Sequence, residues 1–71
     1  MTYEQIVAAL GFAASSERSV RIVTTGGQEV VGVPTSVDTH VTAHEVYLQP
    51  RGDESTEIAL SLGTIRNVEL L

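Results

Sequence analysis

Apolar and polar residues alternate along this chain with two different periods. Tyr3, Ile6, Val7 and Leu10 recur at helical spacing and form one apolar stripe. Thr2, followed three residues later by Gln5, reads as a capping box that opens this helix, and Glu4 stands in its first turn, where the helix dipole favours an anion. Ser15-Ser16 marks the exit, so the pattern predicts a helix over about residues 3–13. A helix of about three turns is stable only when docked on something else. From Ser19 onward the period falls to two, and Val20, Ile22 and Thr24 share one face.

The remaining strands follow from turn residues. Gly26-Gly27 predicts a two-residue hairpin turn, and Glu29–Val33 is the returning strand. Gly32 inside that strand predicts a sharp bend, and Pro34 belongs at an edge, a bulge or the strand's end, because it has no N–H to give a ladder. Glu45–Gln49 reads as a third strand, with Val46 and Leu48 on one face and Tyr47 on the other. Pro50–Ser55 is a turn cluster, and its Arg51-Gly52-Asp53 tripeptide is read as a hairpin turn. Thr56–Leu62 forms a fourth strand with Ile58, Leu60 and Leu62 on one face, Gly63-Thr64 breaks it, and Val68 and Leu70 share the inner face of a short fifth. The inward positions are Val, Ile and Leu, so the core is expected to be aliphatic.

Length and composition narrow the function classes. The 71 residues suffice for one domain over 1–71, with the helix at about 3–13 and the β portion at about 19–71. So small a core is marginal alone and calls for a staple. Cysteine is absent, which removes disulfides and thiolate metal sites and leaves oligomerisation as the expected staple. No apolar run approaches the roughly 20 residues of a membrane span, and no signal peptide is visible, so a cytoplasmic protein without a membrane partner is expected. The net charge is −5, with nine acidic residues against four arginines (Arg18, Arg21, Arg51 and Arg66) and no lysine. That balance excludes an extensive basic face for nucleic acid. His40 and His44 stand four apart without a third ligand, so no metal or other cofactor is assigned. No serine, threonine or carboxylate has a recognisable catalytic partner, and the chain reads as a binding module, not an enzyme.

Val20, Ile22, Gly27, Gly32 and Asp38 lie at steps of two, seven, twelve and eighteen from Val20. This spacing resembles the first motif of the Sm-like family of small five-stranded barrels with an N-terminal helix. Thr24 stands where that motif usually has an apolar residue. Asp38-Thr39-His40-Val41-Thr42 is similar to the stretch that follows, with threonine in place of the family's asparagine. Ile65-Arg66-Asn67-Val68 resembles the second motif, apolar-Arg-Gly before the last strand, with asparagine for glycine, a substitution that keeps access to a left-handed turn. The stretch from Leu60 to Val68 also resembles the short helical turn of other SH3-like barrels, among them the acidic inhibitors of transcription termination factor Rho.

The resemblance implies a mostly β fold: a five-stranded, strongly bent antiparallel Sm-like or SH3-like barrel behind an N-terminal α-helix. It further implies a homo-oligomer joined through the last two strands. It also implies single-stranded, uridine-rich RNA held by loops bearing Asp38, His40, Thr42, Arg66 and Asn67. Threonine offers less than the family's carboxamide, and the acidic balance opposes phosphate. The alternative is an acidic protein-interaction module for a basic or nucleic-acid-binding partner.

Overall fold

Thr2 opens α1 (Tyr3–Ser15) as its spacing predicts: its hydroxyl accepts the Gln5 N–H at 3.1 Å, and the Gln5 side chain accepts the Thr2 N–H at 3.0 Å. The helix runs two residues past Ala13. Glu17 then adopts the left-handed conformation (φ 53°), and the Arg18 N–H returns to the Ala13 carbonyl at 2.9 Å, a Schellman closure built on glutamate instead of glycine. Ile6, Leu10 and Ala13 form the buried face.

The computed structural model describes all 71 residues. After α1 come β1 (Val20–Thr24), β2 (Glu29–Asp38), β3 (Glu45–Pro50), β4 (Ile58–Ser61), a 3-10 turn (Leu62–Thr64) and β5 (Ile65–Leu70). All pairings are antiparallel, in the order β4-β3-β2-β1-β5. The fold is therefore mostly β with one N-terminal helix. It corrects one expectation: the sheet does not close into a barrel, because β4 and β5 are its two edges with no ladder between them. No helix is long and apolar enough to cross a membrane.

β2 produces the bend. Its first residues pair with β1 and its later ones with β3, and Gly32 faces both Val20 and Pro50. A Cβ at Gly32 would lie 2.6 Å from the Gln49 carbonyl oxygen, so only glycine permits this approach. The strand then continues five residues beyond the predicted Val33. Pro34 is buried inside it, beyond the end of β1 and beside a bulge at Thr35, a place that tolerates a missing N–H. The β1–β2 turn is longer than predicted: Thr24 and Gln28 close three residues, with Gly27 at φ 83°. This is a three-residue turn with a left-handed glycine, not a two-residue turn.

A second bulge reshapes β5. Asn67 faces Val23 but Ile65 faces Thr24, so Arg66 is the unpaired extra residue. Ile65 and Val68, three apart, both point inward, while Arg66 and Asn67 are exposed. Leu70, expected beside Val68 in the core, is 37% exposed. The core is aliphatic throughout, joining Ile6 and Leu10 to Val20, Ile22, Val46, Leu48, Leu62 and Val68. The 3-10 turn links the sheet's two ends: the Leu62 N–H donates to the His44 carbonyl at 3.0 Å, and the Thr25 N–H to the Thr64 carbonyl at 2.8 Å.

Candidate functional site

Asp38 ends β2, and the chain turns back over 39–44 before β3. This loop is built from its own polar side chains. The Asp38 carboxylate accepts the His40 N–H at 2.9 Å, and the His40 Nδ1 lies 3.0 Å from the Thr42 hydroxyl. Such a turn satisfies the backbone locally. The loop leaves through His44, held at φ 45°. The His44 ring meets the Tyr3 ring edge-on (centroids 5.2 Å apart, 81° between planes), and its Nε2 is buried without a partner. His40 and His44 thus face different surroundings.

An open concavity of about 680 Å³ lies beside the loop, lined by Ser36, Val37, Asp38, Thr39, His40, Val41 and Tyr47. Val41 projects into solvent, 91% exposed. Tyr47 lies across the ladder from Ser36, and Glu45 across from Asp38. Glu45 and Tyr47 are two apart in β3 and so share its outer face. The Tyr47 phenol is held above the ordinary tyrosine pKa, first by the neighbouring Glu45 carboxylate, then by burial and by the charges of Asp38 and Glu57. Three carboxylates from β2, β3 and the approach to β4 therefore act on one phenol. The protein's two ion pairs lie elsewhere, both on Arg21. The negative charge acting on this outer face suits a cationic group.

The predicted site residues separate. Asp38, His40 and Thr42 come together in one loop, and Asp38 and His40 line the concavity. Arg66 and Asn67 were expected in a neighbouring loop but lie within β5, at the opposite edge of the sheet from β4. Asn67 is paired with Val23 and is not left-handed; Glu17 and His44 are the non-glycine residues with positive φ. The bulge at Arg66 supplies the irregularity that the Arg-Gly motif would have placed in a turn. Sequence reasoning missed Tyr47, Glu45 and Glu57 as a group. The available signal was the i, i+2 pairing of Glu45 with Tyr47 on the polar face of β3. Arg51-Gly52-Asp53 does form a tight turn, with Gly52 at φ 85°. The Asp53 carboxylate turns onto Ser55 and Thr56, whose hydroxyl hydrogen bonds hold its pKa below the usual carboxylate value, Thr56 contributing most.

No family model, curated protein or solved structure matches the chain.

Proposed function

We propose that this chain is a self-assembling binding module whose copies join head to tail, the outer edge of β4 on one copy pairing with the outer edge of β5 on the next. One observation carries the reading: the sheet is open, and its two unpaired edges belong to strands consecutive in the chain. Unpaired strand edges are templates for another chain. The two edges are different surfaces, so their pairing is heterologous and closes a ring or extends a filament. The Sm-like spacing of Val20, Ile22, Gly27, Gly32 and Asp38 supports the same arrangement.

The ladders supply clean test positions. The Leu62 N–H donates toward β3, so by alternation the Ala59 N–H points outward, and the Ala59 side chain is exposed. Ala59→Pro then removes an outward donor while sparing the β3 ladder and the core. The wild-type chain is expected to show an oligomeric mass by light scattering at micromolar concentration. Ala59→Pro is expected to be monomeric with an unchanged circular dichroism spectrum. Each copy carries −5, so added salt should strengthen the assembly. A monomeric wild-type mass at high salt would overturn the reading.

The carboxylate charges that act on Tyr47 favour a second reading for what the module holds, namely a lysine- or arginine-rich partner at the concavity beside it. A basic peptide should quench tyrosine fluorescence, and Glu45→Gln and Tyr47→Phe should weaken binding. Tighter binding of oligouridine than of the basic peptide, lost on substitution of Asp38 or His40, would instead support RNA.

A further inference from the structure

The last strand carries neither proline nor a bulge at its centre to protect its outer edge, yet that edge is not bare. The Val68 N–H donates to the thioether sulfur of Met1 at 3.1 Å. This donor points away from the sheet: the Leu71 N–H donates inward to Ser19, and alternation turns Val68 the other way. Met1 therefore sits on the outward N–H at the middle of the proposed assembly edge.

Two contacts fix the residues that follow Met1. The Thr2–Gln5 capping box fixes the start of the helix, and the Tyr3 ring rests against His44. The His44 carbonyl in turn receives the Leu62 N–H, so the first turn of α1 reaches from the 3-10 turn to β5.

We propose that the Met1 side chain is a displaceable cap on the β5 edge, which β4 of a second copy must remove in order to pair. The proposal rests on the head-to-tail reading above. A thioether is a weak acceptor, whereas a strand brings a carbonyl. The cap shields the edge against casual pairing and yields to a full ladder. It adds to the edge protection that the bulge at Arg66 gives the start of β5.

Met1 is the single methionine of the chain, so biosynthetic replacement of methionine by norleucine exchanges one sulfur for a methylene and leaves the shape almost unchanged. The norleucine protein is expected to exchange its Val68 amide hydrogen roughly two- to tenfold faster at a concentration where it is monomeric, the value of one modest hydrogen bond. Its midpoint concentration for assembly should fall by a similar factor. A chain beginning at Thr2, which keeps the Thr2–Gln5 pair, should show both changes more strongly, with circular dichroism confirming the fold. Unchanged Val68 exchange in both variants would overturn the cap while leaving head-to-tail assembly standing on its own mass measurements. Faster exchange with an unmoved midpoint would overturn the competition between Met1 and a second copy. Faster exchange in a chain that stays monomeric at every concentration would overturn the head-to-tail reading, and the competition with it.

Discussion

The two sides of the bend at Gly32 treat their charges in opposite ways. On the side built from β1, β5 and the start of β2, Arg21 lies 3.7 Å from both Glu29 and Glu69. On the side built from the end of β2, β3 and the approach to β4, Asp38, Glu45 and Glu57 act together on Tyr47, and no arginine forms an ion pair there. One strand serves both sides, and one aliphatic core lies behind them. The difference is therefore not demanded by the fold. A surface that offsets its own acids needs no visitor. One whose carboxylates act on a phenol, with no arginine paired among them, keeps its negative charge uncompensated.

The strongest way to break the comparison is to remove what the two sides share. Leu10 is fully buried on the helix that packs against β2 and β5. Leu10→Ala should cost about 2–5 kcal/mol in urea denaturation. Coincident transitions by circular dichroism and by tyrosine fluorescence would show that both sides unfold as one unit. Gly32→Ala should cost about 1–3 kcal/mol, because the new methyl meets rigid backbone and not a flexible side chain. Its effect should fall on the β2–β3 side, raising hydrogen exchange at Leu48 and Gln49 more than at Ile22.

Smaller effects sharpen the contrast. Arg21→Ala should cost about 0–1 kcal/mol, since both of its ion pairs are exposed and long. It should leave binding of a basic peptide in the Tyr47 concavity unchanged or slightly tighter. The last test is local. In a Tyr3→Phe background, Tyr47 is the sole phenol and should titrate above the ordinary value of about 10, read by phenolate absorbance. Glu45→Gln should bring it down. The folded chain keeps this proton at pH values where the unfolded chain releases it. Its contribution to stability is thus complete below the ordinary tyrosine pKa and is lost as pH rises through the raised one.

Local chemistry was legible in the sequence where one element settles it. The Thr2–Gln5 box, the alternation through Val20, Ile22 and Thr24, the bend at Gly32 and the aliphatic core all follow from short-range rules. What escaped depends on residues distant in the chain. Pro34 leaves an edge, a bulge and a strand's end all open until the register against β3 decides for a bulge, at Thr35. Arg66 and Asn67 look like a turn until their register on β1 reveals a bulge that sends both outward. The open edges depend on whether β4 meets β5, which no local pattern specifies. Tyr47 stood out only once residues 38, 45 and 57 were brought to it.

The order of the strands also has a consequence in time. β1 lies inside the sheet between β2, which follows at once, and β5, which is the last strand of the chain. Until Ile65–Leu70 arrive, β1 is itself an edge, exposing the unpaired groups of residues 20–24 to any other nascent chain. Its second ladder closes a loop that contains nearly the whole sheet, a contact whose entropy must be met before it is rewarded. β5 behaves toward the rest of the chain as a tethered peptide ligand. A synthetic peptide of residues 65–71, added during refolding, should compete for its groove and slow the final step.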